Sequence, residues 1–342
     1  MFAMPSFKAA VAHAAPVYLD PAATVDKACA IIAEAARNGA RIVAFPESYL
    51  PGFPVWAALF RPIETHDLFA RFAAASVRAD GPEIAAIRQA ARAHGILVSL
   101  GFSEANPVSI GGLWNSNILI DETGAVLVHH RKLVATFFEK LVWAPGDGAG
   151  LRVADTSVGR VGALICGENT NPLARFALMA EAEQVHISSY PPVWPTRPPE
   201  DAGNYDNRGA NLIRAAGHAF EAKVFGLVSA GCLDDNAKRI IANGSSEAAE
   251  MLEKCPAAPS FFVDPTGKRI GDELTEEGIG YAEIDLSGAV EPKRFHDVSA
   301  GYNRFDVFDL RVDRTRHSPA TFTEMDAPGP ADLPDPGGVA EE

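Results

Sequence analysis

Cysteine is scarce in this chain. Four stand in 342 residues, Cys29, Cys166, Cys232 and Cys255, with no CxxC pair. That spacing argues against a disulfide framework or a cysteine-rich zinc site and fits free thiols in a reducing compartment. Basic residues are outnumbered, 30 Lys and Arg against 44 Asp and Glu, for a net charge of -14. A nucleic-acid partner needs clustered cations, so none is expected, and an anionic membrane surface would repel the chain. No apolar run reaches the roughly 18 residues of a membrane-spanning helix. The N-terminus MFAMPSFKAAVAHAAP lacks a basic start followed by a signal-type core, so a cytoplasmic protein is expected. No repeat recurs at a fixed period. What remains, 47% hydrophobic and 22% charged, suits a soluble globular enzyme.

The order of apolar runs predicts alternating strands and helices. FKAAVAHAA (7–15), RIVAFPE (41–47) and ILVSLGFSE (96–104) read as buried strands. Between them, Val25, Ala28, Cys29, Ile32 and Ala36 recur at helical spacing up to Gly39. Asp80 and Pro82 open a second helix that ends at His94–Gly95. Residues 115–132 read as two strands around a turn at Glu122–Gly124. GRVGALIC (159–166) is a strand, Asn171 with Pro172 starts a helix, and EQVHISSY (183–190) is the next strand. A helix over 207–223, the strand KVFGLVSAG, a hairpin at SFFVDPTGKRIG and a strand at YAEIDL follow. The pattern predicts a mixed α/β sheet with helices on its faces. One domain over 1–317 is expected, with a mobile tail at 318–342 rich in Pro, Asp, Glu and Gly.

Three segments place a reactive group at the end of an apolar strand. In VGALICGEN, Cys166 ends a strand just before a helix, where backbone N–H groups and the dipole favour a thiolate and a developing oxyanion. Gly167 lets a substrate approach the backbone. A buried structural thiol is the commoner fate of a cysteine, and Cys29, on a helix face, fits it. In FPESYLPGFP, Glu47 follows a strand inside a rigid apolar loop, where desolvation would raise its pKa and suit it to proton transfer. In HHRKLVATFFEKLVW, Lys132 ends another strand, with Glu139 further on. Taken singly, each Glu or Lys reads as a surface charge. If the strands are parallel neighbours, the three groups converge at one sheet edge. The histidines, including His129, His130 and His186, have no distinctive context and read as structural, although a Cys–His pairing stays open. Tyr49, Tyr190 and Trp194 stand close after these strands as candidate walls of an apolar pocket. Trp143 reads as packing or an oligomer contact.

FPES, HRKL and LICGEN together resemble the Glu, Lys and Cys motifs of the nitrilase (carbon–nitrogen hydrolase) superfamily. FPESYLPGFPVW, LVWAPGDG, HISSYPPVWP and HDVSAGYNRFDVFDL are similar to its nitrilase branch. The resemblance spans about residues 7–312. It implies a four-layer α-β-β-α sandwich, with Cys166 as nucleophile, Glu47 as general base, Lys132 as electrostatic stabiliser and Glu139 organising the site. It implies a nitrile as substrate, a homo-dimer or larger homo-oligomer, and no metal or organic cofactor. Many nitrilases carry Trp where this chain has Gly167, and Thr170 replaces the Tyr or Met types expected after Asn169. Room beside the sulfur therefore favours aliphatic and arylaliphatic nitriles. The rival readings are an amidase using the same residues, a thiol redox sensor built on Cys166, which lacks an evident resolving cysteine, and a non-catalytic scaffold, which an intact Glu, Lys and Cys set disfavours.

Overall fold

Strand β1 (Ser6–His13) states the plan of the molecule in eight residues. Its side chains alternate between two apolar surroundings, as the two-residue period of a strand requires. Ala9 and Val11 join one cluster, and Ala10 and Ala12 join another. A strand buried on both faces belongs to the middle of a layered protein. The structure is a computed structural model that describes residues 3–198, 201 and 203–320. Most of the tail expected from residue 318 lies outside the described residues.

The first sheet runs β12 (Gly278–Asp285), β1, β2 (Ala40–Ala44), β3 (Leu97–Asn106), β4 (Ser109–Ile120), β5 (Val126–Arg131). The second runs β11 (Arg269–Leu274), β10 (Ser260–Val263), β9 (Phe225–Ala230), β8 (Val185–Tyr190), β7 (Gly159–Ile165), β6 (Ala154–Thr156). Each has three parallel central strands flanked by antiparallel ones: β1, β2 and β3 in the first, β7, β8 and β9 in the second. Ala9, Val11, Ile42 and Leu97 meet Val161, Val185, Ile187 and Leu227 between the sheets. Each large aliphatic side chain fully buried there stabilises the fold by about 1.5–3 kcal/mol relative to exposure.

Helices close the outer faces. α1 (Pro21–Arg37) begins at Asp20, whose side chain accepts the Ala23 N–H at 3.0 Å, with Pro21 where a missing N–H costs least. Two short helices, α2 (Trp56–Leu59) and α3 (His66–Ala75), follow the Glu47 loop. α4 (Pro82–His94) ends at Gly95, whose φ of 61° suits the left-handed cap. Val25, Ala28 and Ile32 of α1 and Ile84, Ile87 and Ala91 of α4 cover the first sheet. On the second sheet lie α5 (Pro172–Met179), capped by Asn171, and α6 (Asn207–Ala222), capped by Asp206. α7 (Asp235–Ala242), α8 (Ser246–Lys254) and α9 (Val290–Phe295) complete the helices among the described residues. The layers are α-β-β-α, as expected.

The order of apolar runs predicts one mixed sheet, and the two sheets found are those that the resemblance implies. α2, α3, α7 and α8 are additions to the expected elements, and Cys255 is the C-cap residue of α8.

Candidate active site

Glu47, Lys132 and Cys166 come together, but not by the expected route. β2 and β5, which lead to Glu47 and Lys132, are separated by β3 and β4, and β7, which leads to Cys166, lies in the other sheet. The groups meet where strands of both layers end. Cys166 does not abut the helix directly. It opens a 3-10 turn, Cys166–Thr170, before the Asn171 cap of α5.

Glu47 sits in a loop pressed against β3. A Cβ on Gly101 would come to 2.2 Å from the Pro46 carbonyl oxygen and 3.0 Å from Glu47 Cα, so only glycine fits there. Asn115 on β4 serves two of the groups. Its carbonyl accepts the Lys132 N–H at 2.7 Å, and its Nδ2 donates to Glu47 Oε1 at 2.7 Å. Lys132 Nζ donates to Glu47 Oε1 at 2.7 Å and to Glu139 Oε1 and Oε2 at 2.8 and 2.7 Å. The Thr136 N–H fixes Glu139 from the other side at 2.8 Å. The Cys166 sulfur and carboxylate oxygens of Glu47 and Glu139 lie within 4.8 Å of one another. Three carboxylate or thiol ligands could hold a cation, and the Lys132 ammonium, bonded to both carboxyls, stands between them as one.

All of these side chains are buried, and burial sets their proton affinity. Desolvation raises Glu47, more than the Lys132 ammonium and the Asn115 amide lower it. It raises Glu139 to about 7, against the pull of Lys132 and with help from the Glu47 charge. Burial works against the Lys132 charge, but the two carboxylates win and hold it above its ordinary value. Burial, then the Glu47 charge, pushes the Cys166 thiol well up. The resting sulfur is therefore a thiol, beside a carboxyl whose Oε2 has no hydrogen-bond partner.

The turns that carry these groups are strained. Ser48, Phe137 and Cys166 have φ of 48°, 50° and 49°, a region costly to residues with a Cβ, on the order of 1–3 kcal/mol each. Polar side chains hold the cysteine turn. Asn169 Nδ2 donates to the Cys166 carbonyl at 3.0 Å and to that of Leu164 at 3.3 Å. Asn169 Oδ1 accepts from His186 Nε2 at 2.8 Å and Ser188 Oγ at 3.0 Å. Behind it, Glu183 binds His186 Nδ1 at 2.7 Å and His218 Nε2 at 2.6 Å. Each His186 nitrogen thus faces an oxygen, one on Glu183 and one on Asn169. These three could in principle ligate a metal, but their facing atoms are already bonded to each other.

Glu168 clamps the turn to the lysine segment. It accepts the Ile165 N–H at 2.9 Å, the Leu133 N–H at 2.7 Å and His130 Nε2 at 2.9 Å. Burial opposes its charge, yet His130 and the two N–H groups hold it below the usual range. Asn115, Glu168, Asn169, Glu183 and His218 are absent from the expected site. For Glu168 and Asn169 the available signal was their position in CGEN, while His218, within α6, carried none. Among the described residues no histidine hydrogen-bonds Cys166.

The expected pocket residues divide. Tyr190 packs in one cluster with Cys166. Trp194 packs at a tilt on Phe138, the neighbour of Glu139, at 4.5 Å between ring centroids. Tyr49 packs on Phe45 at 5.2 Å in the core under α1 and α4. Beside Gly167 the expected room is bounded, because a Cβ there would lie 2.7 Å from Thr136 Oγ1. Trp143 is packing: it is buried, with Nε1 donating to Ser103 at 3.0 Å.

An α-β-β-α sandwich that gathers a thiol, an ammonium and two carboxyls where its strands end has the make-up of a thiol hydrolase. The sequence profile of the carbon-nitrogen hydrolase family matches residues 8–294, and the chain belongs to that family. It is 38% identical over 338 residues, 96% of this chain and 90% of the relative, to a bromoxynil-specific nitrilase of Klebsiella pneumoniae subsp. ozaenae. It is 34% identical over 308 residues, 89% of this chain and 91% of the relative, to an arylacetonitrilase of Hypocrea virens. In fold it is similar to a carbon-nitrogen hydrolase from Helicobacter pylori, with a TM-score of 0.65 at 20% identity, over 85% of this chain and 94% of that one.

Proposed function

We propose that this protein is a nitrilase that converts an organic nitrile and two waters to a carboxylic acid and ammonia. The observation that carries the reading is the buried contact of Glu47, Lys132, Glu139 and Cys166 in a chain this similar to named nitrilases.

The Cys166 thiol passes its proton to Glu47 as sulfur bonds to the nitrile carbon, and the proton goes on to nitrogen, giving a thioimidate. Glu47 then takes a proton from water as its oxygen attacks the same carbon. The nitrogen, protonated again, leaves as ammonia and a thioester remains. A second water, activated by the same carboxyl, releases the acid and returns the proton to sulfur. Expulsion of sulfur from the first tetrahedral adduct would give the amide instead. Lys132 has its N–H groups engaged by carboxylates, so it acts through its fixed charge, with the Gly167 N–H as the direct donor to developing negative charge.

Incubation with matched nitriles and amides tests the reading. Acid and ammonia from nitriles, with little amide turnover, support it. Turnover of amides alone moves the enzyme to the amidase branch.

The four cysteines are unpaired, which supports a cytoplasmic location. Leu173, Ile213 and Phe220 stand exposed on α5 and α6, and an apolar helix face of that kind favours a homo-oligomer. Light scattering on the purified protein and on Ile213→Glu tests this assembly.

A further inference from the structure

Arg214 is a cation beside the nucleophile that the reaction does not use. It lies on α6, on one helix face with Asn207 and Asn211, four and three residues apart. Its Nε donates to Thr170 Oγ1, in the turn opened by Cys166, at 2.8 Å. One terminal nitrogen donates to Asn211 Oδ1 at 3.2 Å and the other to the Tyr205 hydroxyl at 2.5 Å. All three acceptors are neutral. Among the described residues no carboxylate pairs with it. A guanidinium has five N–H donors, so two remain.

The surroundings are short of acceptors in the same way. The Tyr190 hydroxyl, the Asn211 Nδ2 and the Asn207 Nδ2 are buried without partners, and each residue is at most 2% exposed. Tyr190 and Ala215, the residue after Arg214, pack in one cluster with Cys166. Unpaired buried donors around a partly desolvated cation form an unfavourable arrangement unless an anion completes it. The Glu47 and Glu139 charges would repel such an anion, and Lys132 is already saturated by them. Arg214 is the group that can offset that repulsion, and its charge already reaches Cys166 and Tyr190.

We propose that Arg214, with the Tyr190 hydroxyl and the Asn211 amide, forms a subsite for a carboxylate on the substrate, so that the enzyme favours nitriles that carry a second, acidic group. The inference deepens the nitrilase reading and rests on it.

The test compares meta- and para-cyanobenzoate with the uncharged meta- and para-acetylbenzonitrile, using the wild type, Arg214→Gln and Arg214→Lys. The wild type is expected to favour at least one cyanobenzoate isomer over its acetyl counterpart. In Arg214→Gln the ratio of the two kcat/KM values should fall at least about tenfold, chiefly through KM, with Arg214→Lys intermediate. An unchanged ratio, even with both rates lower, would make Arg214 a strut of the cysteine turn and overturn the proposal. So would a wild type that prefers the acetyl compounds. Calorimetric binding of the same pairs to Cys166→Ala, with and without Arg214→Gln, keeps the two readings apart. If the wild type hydrolyses no nitrile, the nitrilase reading fails, while loss of cyanobenzoate binding on removing Arg214 would still show the subsite.

Discussion

Lys132 Nζ donates to Glu47 Oε1 at 2.7 Å across 85 positions of sequence, and the same nitrogen holds Glu139. One ammonium therefore keeps two buried carboxyls apart. Lys132→Met should lower kcat by at least about a hundredfold, the scale for losing a stabilising charge. It should also destabilise the fold by about 3–5 kcal/mol, as breaking a buried ion pair does. The carboxyls, left facing each other, would bind protons more tightly than in the unfolded chain. Stability would then fall as pH rises, and melting curves of the variant should show a larger loss at about pH 8 than at about pH 6.

The pH dependence of the rate follows from the same burial. Glu47 must be ionised to accept the thiol proton, and both it and Glu139, the latter at about 7, lie above the ordinary 4.5. kcat/KM should rise through an acid limb displaced above 4.5 and then stay level, because Lys132 is held above its ordinary value. A limb at the ordinary carboxylate position would show that the base is exposed to water, and so is not Glu47.

Stability at low pH should depend on the network behind the cysteine turn. Burial, with the His186 charge, lowers His218 from 6.5 to about 4. Between those values the unfolded chain binds a proton that the folded one does not. Stability is therefore fully present above 6.5 and is lost as pH falls, by on the order of 3 kcal/mol. Glu183, held at about 2 by its two histidines against burial, adds a further loss below 4.5. Denaturant titrations across this range should show the decline, and His218→Gln should flatten its upper part.

Asn169 holds the Cys166 carbonyl while the residue sits at a φ of 49°. Asn169→Ala should therefore lower kcat about tenfold or more with a smaller change in KM, since it disturbs the nucleophile and not the pocket. Gly101→Ala acts on the other side. Its Cβ meets the Pro46 carbonyl at 2.2 Å, so it should displace the Glu47 loop and cost about 1–3 kcal/mol, read from denaturation together with a fall in kcat.

The strands were legible because doubly buried segments such as AAVA and IVAF are apolar without interruption. Asn171 likewise announces α5 through cap chemistry, whereas α4 is announced by Pro82 at its first turn, its cap being Gly81 and the Asp80 carboxylate pairing with Arg78. Which strands pair is a long-range matter, and nothing in FPE or ALIC says that they end in different sheets. Glu47 and Cys166 stood out because each follows such a strand, and Lys132 because it follows β5, whose side chains are mostly half-buried. Glu168, Asn169 and His186 did not, because a buried polar residue reads like a surface one until its partner, 17 to 38 positions away, is in view. Tyr49, close to Glu47 in sequence, packs its ring on Phe45 in the core, a contact that the sequence around it does not announce.

Covalent catalysis by Cys166 is the central claim, and mass spectrometry of protein quenched during turnover of a nitrile tests it most directly. The expected result is an adduct of substrate mass on the peptide that carries Cys166, together with complete loss of turnover in Cys166→Ala. Continued nitrile hydrolysis by Cys166→Ala, with no adduct on the wild-type peptide, would contradict it.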